Sequence, residues 1–150
     1  MTNPTTIDNE TELSAVNSIL GAIGQSPVTS LSFTNPEISF IYNLLKEVSQ
    51  DVQNEGWHFN SEPHVEFPPD SNGYISISNT ILRLDVTDGY REKYKDVIRK
   101  DGKLWDKVQH TNVFTDKLLC DVVYLYSFEN IPPVFRRYIT YKASGRAAAQ

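Results

Sequence analysis

A long amphipathic helix is the strongest structural signal in this sequence and constrains its fold most. Asn35 and Pro36 supply a helix N-cap and a proline at the first helical position, two features that start helices. Apolar residues then recur at steps of three and four, at Ile38, Ile41, Leu45, Val48 and Val52. This spacing predicts a helix over residues 36–55 with Ile41, Leu45 and Val48 in the core. Phe40 and Leu44 lie off the stripe, which suggests a second face that neighbouring subunits cover.

Two further helices are predicted nearer the ends of the chain. Asn9 and Glu12 have the spacing of a capping box, and Gly24 stops the helical pattern that follows, which gives a helix over residues 10–24. Pro132 and Pro133 open the last helix, predicted over residues 133–149.

Two cations occupy an unfavourable place in this last helix. Arg136 and Arg137 lie close to its N-terminus, where the helix dipole disfavours positive charge. Either the carboxylates of a partner or the nearby Glu129 can offset that charge. Both arginines are therefore candidates for a partner interface.

Short apolar runs between the second and third helices predict strands. Residues 82–86 alternate between apolar and polar, as in a half-buried strand, and another short strand is predicted at residues 74–77. Asp101 and Gly102 predict a type I′ hairpin turn, because both central residues of that turn need positive φ. The apolar run 118–126 predicts a central strand that is buried on both faces.

These elements predict an α+β fold. The three helices are expected to pack beside a small antiparallel β-sheet built from residues 64–126. Residues 1–150 are expected to form one domain, with a helical part at 10–56 and 131–150 and a β part at 57–130.

The sequence offers no set of residues for metal or acid–base chemistry. Cys120 is the single cysteine, which excludes an internal disulfide and a cysteine-based zinc site and fits a reducing cytoplasm. His64 and Glu66 match a fragment of the zinc deaminase motif, but the paired cysteines of that motif are absent. We therefore expect no metal and no cofactor, and an uncharacterised enzyme stays open as a third possibility for which the sequence offers no set of catalytic residues.

A basic segment at residues 90–103 carries the alternative function. Its cations alternate with tyrosines, and the candidates for a partner interface among them are Arg91, Lys93, Lys95, Arg99 and Lys100. Such side chains can contact nucleic-acid phosphates or an acidic protein, or they can simply protect an edge strand from unwanted pairing. The net charge of −5 argues against tight wrapping of nucleic acid. A small nucleic-acid-binding module remains the alternative.

Four stretches together resemble a known family. They are ELSAVNSILGAIGQSPV (12–28), EGWHFN (55–60), RKDGKLWD (99–106) and LYSFENIPPVFRRYITYKA (125–143). In this order and spacing they resemble the tail tubular protein A family, the head-to-tail adaptors of short-tailed, autographivirus-type bacteriophages.

The resemblance implies a structural virion protein without catalytic residues. Such an adaptor assembles as a ring of about twelve copies beneath the portal protein. It extends the DNA channel and receives the nozzle, tail tubular protein B, with tail fibre proteins attached near that junction. The expected location is the virion tail, after assembly in the host cytoplasm. DNA would pass without specific binding, because net negative charge repels phosphates.

The resemblance also bears on the aromatic segment after the long helix. Trp57, His58 and Phe59 directly follow the helix stop at Gly56, and by themselves they are compatible with a binding pocket, a metal corner or a return into the core. Their place in the family pattern favours Trp57 and Phe59 as structural core residues that hold the helix end against the sheet. His58, between them, is expected to face the other way.

Overall fold

The described part of the chain, residues 11–87 and 95–149 of a computed structural model, contains three α-helices and five β-strands. The helices are α1 (Glu12–Ala22), α2 (Pro36–Gln53) and α3 (Pro133–Ala148), with a short 3-10 helix at Phe128–Asn130. The strands are β1 (Ser61–Phe67), β2 (Ile81–Val86), β3 (Val97–Lys100), β4 (Lys103–Asp106) and β5 (Leu118–Tyr124). The predicted α+β fold class is confirmed.

The chain divides into two compact units. The helical unit contains the described residues 11–52 and 126–149, and the sheet unit contains residues 53–87 and 95–125. The sequence-based division of one domain into a helical part at 10–56 and 131–150 and a β part at 57–130 stays a prediction.

The start of α1 corrects the sequence prediction. Thr11 is the N-cap: its hydroxyl accepts a hydrogen bond from the Ser14 amide at 3.1 Å, and the Ser14 hydroxyl accepts one from the Thr11 amide at 2.9 Å. This is a complete capping box, placed two positions after Asn9, which lies outside the described residues. The next amide, of Glu12, donates to Glu129 Oε1 at 3.0 Å. Because that partner lies far along the sequence, local spacing could not reveal it.

The end of α1 forms a hydrogen-bonded C-cap around Gly24. The Gln25 amide donates to the Leu20 carbonyl at 2.8 Å, and the Gly24 amide donates to the Gly21 carbonyl at 3.2 Å. This pair of bonds is the Schellman motif. The predicted stop at Gly24 is confirmed, with Ala22 as the last helical residue.

Helix α2 begins as predicted and ends at Gln53, two residues earlier than predicted. The Asn35 side chain accepts a hydrogen bond from the Glu37 amide at 3.0 Å, as an N-cap does. The stripe residues Ile38, Ile41, Leu45, Val48 and Val52 are all buried. Leu44 is also buried, so the expected uncovered face is reduced to Phe40, which is 51% exposed.

Helix α3 packs against α1 within the helical unit. The two helices contribute apolar residues to the buried set, and these are Ala15, Val16, Ile19, Leu20, Ile139, Ala143 and Ala147. Full burial of one large aliphatic side chain contributes about 1.5–3 kcal/mol. Arg146 of α3 also pairs with Asp51 of α2 at 3.1 Å and with Glu47 at 3.8 Å.

The sheet unit is built on an antiparallel sheet of order β1-β5-β2. The predicted run 118–126 forms the central strand, but it is not buried on both faces. Leu118, Cys120 and Val122 are buried, whereas Asp121 is exposed on the opposite face. Asp121 is needed there, because it accepts hydrogen bonds from the His64 amide at 3.2 Å and the Thr87 hydroxyl at 2.8 Å. The first of these bonds serves a β-bulge in β1, where His64 has φ 59°.

Strands β3 and β4 form the predicted hairpin. Asp101 has φ 55° and Gly102 has φ 75°, which confirms the type I′ turn. The strand predicted at residues 74–77 is absent. That segment makes an isolated bridge between Ser76 and Lys103, and Ile75 and Ile77 fill the core beside the hairpin. The alternation of apolar residues therefore correctly indicated which side chains are buried, but the strand that it predicted is wrong.

Candidate functional site

The described cations of the basic segment are engaged within the sheet unit. The ammonium group of Lys100 lies 4.1 Å from the centroid of the Trp105 ring, and that of Lys103 lies 4.2 Å from the Tyr74 ring. Lys95 lies over the Phe114 ring at 5.6 Å. Such cation–π contacts hold a cation against its own domain. Arg91 and Lys93 lie outside the described residues.

Arg99 has a structural role in the same unit. Its guanidinium donates to the Ser78 carbonyl at 3.0 Å and also to the Ile81 carbonyl. These contacts connect the edge strand β3 to the start of β2. The planar guanidinium group holds several donors in a fixed geometry and can bond two carbonyls at once. Arg99 therefore stabilises the sheet unit.

Arg136 is not at the partner surface to which the sequence analysis assigned it. Its side chain is buried, and its guanidinium lies 3.8 Å from Glu129 Oε2. Glu129 therefore interacts with two groups, because its other oxygen accepts a hydrogen bond from the Glu12 amide at the N-terminus of α1. A carboxylate in this position is favourable both for the dipole of α1 and for Arg136. Of the two explanations for a cation near the N-terminus of α3, a partner's carboxylate or Glu129, the structure favours Glu129 for Arg136.

The first turn of α1 also contacts α2. Tyr42 donates a hydrogen bond to the Glu12 carboxylate, and this bond raises the pKa of the Tyr42 hydroxyl; burial and the negative charge of Glu12 raise it further. The Tyr42 ring contacts Phe33 with ring centroids 4.8 Å apart. Lys46 lies 5.6 Å from the centroid of the same ring.

Arg137 and its neighbours form an exposed apolar surface on α3. Arg137 is exposed, and no ion pair joins it to the other residues that the structure describes. Val134, Tyr138 and Tyr141 are 76%, 45% and 69% exposed. Positions 134, 138 and 141 follow one another at helical spacing and project from one side of the helix. We call Val134, Arg137, Tyr138 and Tyr141 the α3 face.

The turn after α2 is organised by Asn60 rather than by its aromatic residues. Trp57 and Phe59 are only half-buried, and His58 is exposed. Both aromatic rings are therefore less buried than the predicted core positions imply. Asn60 is fully buried.

The Asn60 side chain satisfies three backbone groups. Its Nδ2 donates to the Gln53 carbonyl at 2.7 Å and to the Tyr124 carbonyl at 2.9 Å. Its Oδ1 accepts from the Trp57 amide at 2.8 Å. Asparagine can do this because its amide offers donors and an acceptor on one short side chain. Sequence reasoning missed Asn60; its position four residues after the helix stop at Gly56 was the available signal.

Arg83 completes this turn from β2. It donates to the Asn54 carbonyl at 3.1 Å and to the Glu55 carbonyl at 2.9 Å. Gly56 has φ 80°, and a Cβ there would lie 2.7 Å from Arg83 Nη2 and 3.3 Å from Val123 Cγ2. The close approach and the positive φ both require glycine. The side chains of Asn60 and Arg83 thus stabilise this turn by hydrogen bonds to its backbone.

Neither a metal-ligand cluster nor a membrane-spanning helix was found in the described ranges 11–87 and 95–149. Those residues contain no group of three or more histidine, cysteine, aspartate or glutamate side chains that could hold a metal ion. No helix among them is both long and apolar enough to cross a membrane. Cys120 is buried in the sheet unit.

The described residues combine turns whose backbone groups are hydrogen-bonded with an exposed, partly aromatic face on α3. The tail tubular protein family model matches residues 13–150, and the chain belongs to that family. It is accordingly a structural component of a phage tail.

A curated relative supports this assignment at the level of sequence. The chain is similar to tail tubular protein A of Klebsiella phage KP34, with 27% identity over 122 residues. The matched region covers 81% of this chain and 62% of the relative, so the chain spans under two thirds of the relative's length.

Proposed function

We propose that this protein forms a ring-shaped adaptor that joins the portal protein to the tail nozzle and extends the DNA channel between them. The match of the tail tubular protein model to residues 13–150 carries the proposal. The proposed partners are further copies of the chain, the portal protein, the nozzle protein and the tail fibre proteins. The proposed ring contains about twelve copies, a closed arrangement that one repeated head-to-tail contact can produce.

Charge supports a channel that does not bind its cargo. The chain carries a formal net charge of −5, and a negative surface repels DNA phosphates. The described cations of the 90–103 segment lie over aromatic rings or donate to backbone carbonyls. This arrangement favours the adaptor over a nucleic-acid-binding hairpin.

Electron microscopy of the virion tests the proposal. Antibody or tag labelling should place the chain in a collar around the channel, between the capsid vertex and the nozzle. Label in the outer fibres or inside the capsid would overturn it.

A further inference from the structure

The α3 face combines apolar surface with positive charge. Val134, Tyr138 and Tyr141 expose large apolar side chains in one row, with Arg137 beside them. The Lys142 ammonium lies 5.8 Å from the centroid of the Tyr138 ring and adds a second cation at its edge. Contiguous apolar exposure on a folded chain indicates a surface that another molecule covers.

Arg137 lacks the compensation that the neighbouring Arg136 has. The first turn of α3 contains no acidic residue, and Glu129 pairs with Arg136. A cation near a helix N-terminus is disfavoured by the helix dipole. A carboxylate from outside the chain would offset this charge, so the face favours an acidic partner.

Helix α2 carries a surface of opposite charge. Glu37, Phe40 and Glu47 project from one side of α2 by helical spacing, and all three are exposed. Phe40 is the large apolar residue of this row, with half of its surface exposed. Glu47 already approaches Arg146 at 3.8 Å, whereas no ion pair to Glu37 is seen among the described residues. We call Glu37, Phe40 and Glu47 the α2 face.

We propose that the α3 face of one copy packs against the α2 face of the next copy, an inference that rests on the ring in the proposed function. Phe40 meets the tyrosines of α3, and Glu37 meets Arg137. Opposite charges across an interface fix register and partner choice. The two faces share no residue, so one copy can present each face to a different neighbour, and such a heterologous contact can repeat around a closed ring.

The same charges disfavour a two-fold contact between like faces. If two α3 faces met each other, Arg137 and Lys142 of both copies would come together without a carboxylate. If two α2 faces met, their glutamates would do the same. Like charges placed together at an interface are unfavourable, so the surfaces select a contact between unlike faces, and the ring of the proposed function makes that contact head-to-tail.

Thiol cross-linking in assembled virions tests the arrangement directly. A chain with both Phe40→Cys and Tyr141→Cys should give, with a short thiol–thiol reagent, a ladder of oligomers beyond the dimer. Each single variant should give no ladder, and the buried Cys120 should leave the parent chain unreacted. Dimers from Tyr141→Cys alone would indicate a two-fold contact and overturn the inference. Cross-links from that variant to another virion protein would overturn it as well.

A charge exchange provides an independent test. Arg137→Glu and Glu37→Arg should each lower ring incorporation by about tenfold, and the two together should restore most of it. Asp116→Arg reverses a charge at an exposed position of the sheet unit and should assemble normally. Melting temperatures of the variants show whether each one is folded.

The parent chain in the same virions separates the two hypotheses. If it lies in the collar while the ladder is absent or the single charge variants assemble normally, this interface is wrong and the adaptor function stands. If it lies outside the collar, the proposed function itself fails.

Discussion

Asn60 forms hydrogen bonds with three backbone groups around the turn after α2. It is fully buried, so water cannot replace its amide. A buried polar group left without a hydrogen bond costs about 1–3 kcal/mol. This residue, more than the adjacent aromatic rings, determines the path of the chain from Gln53 to β1.

Asn60→Ala is therefore expected to lower the free energy of unfolding by about 3 kcal/mol, because it removes one acceptor and two donated hydrogen bonds. Urea denaturation of the full chain measures the change. His58→Ala, at an exposed position two residues earlier, should stay within about 0.5 kcal/mol of the parent. Equal stability of the two variants would show that the hydrogen bonds of Asn60 do not hold the turn.

Tyr42 gives the helical unit a pH dependence in the alkaline range. Its pKa is raised above the ordinary value of 10.0, first by the hydrogen bond to Glu12. Below pH 10 the hydroxyl is protonated in both states, and its contribution to stability is complete. Above pH 10 the unfolded chain releases this proton first, so the contribution is lost as pH rises through the folded pKa.

Tyr42→Phe should consequently be less stable than the parent at about pH 8, and the difference should shrink above pH 10. Urea denaturation at both pH values measures it. Tyr141→Phe removes an exposed tyrosine from the same unit and is the matched control. A constant difference between Tyr42→Phe and the parent over this range would contradict the raised pKa.

Single-residue roles were predictable where the partner is close in sequence. Asn35 caps α2 as expected, since its partner is the Glu37 amide. Arg136 and Glu12 both depend on Glu129, and only for Arg136 does that carboxylate lie nearby in the sequence. Trp57 was expected in the core because it follows the helix stop at Gly56 at a fixed place in the family pattern, yet it is only half-buried. Asn60 was overlooked because a polar residue gives no periodic signal.

At the scale of elements, the end of α2 is set by Gly56 and Arg83. Both Gly56 and Gly102 have positive φ, at 80° and 75°. They differ in their surroundings, because a Cβ at Gly102 meets nothing within 4 Å, whereas one at Gly56 approaches Arg83 and Val123. A comparison of substitutions at Gly56 and Gly102 therefore distinguishes the cost of positive φ from the cost of steric crowding.

Gly102→Ala is expected to cost about 1 kcal/mol, the cost of placing a side chain at positive φ. Gly56→Ala should cost about 2–4 kcal/mol, because it also displaces the guanidinium that donates to the Asn54 and Glu55 carbonyls. Thermal or urea unfolding measures both. In an Arg83→Ala background the cost of Gly56→Ala should fall toward that of Gly102→Ala. An unchanged cost in that background would exclude crowding by Arg83.

The elements themselves were predictable to different extents. Helices α2 and α3 and the β3–β4 hairpin carry local signals, namely proline at the first turn and Asp-Gly at the hairpin. The segment 74–77 shows why alternation alone is insufficient: its isoleucines are buried, but pairing is limited to one bridge. The bulge at His64 depends on Asp121 of the neighbouring strand, a contact that the sequence does not specify.

At the scale of the whole molecule, net charge and local charge give different expectations for nucleic acid. The net charge of −5 predicts repulsion, while the 90–103 segment is locally basic. The described cations of that segment already have partners in the sheet unit, with Lys100 on Trp105 and Lys103 on Tyr74. Leaving these rings for phosphates would sacrifice contacts of about 0.5–1 kcal/mol each.

The full chain is therefore expected to bind short duplex DNA only weakly at low salt and not measurably at about 0.15 M salt. Fluorescence anisotropy with a labelled duplex measures this, and heparin chromatography gives a second readout. Lys100→Ala combined with Lys103→Ala should leave the weak binding unchanged and lower stability slightly through the lost ring contacts. A nucleic-acid-binding module would behave differently. It would bind at moderate salt, weaken steeply as salt rises because counterions are released at each phosphate contact, and lose affinity in the double variant.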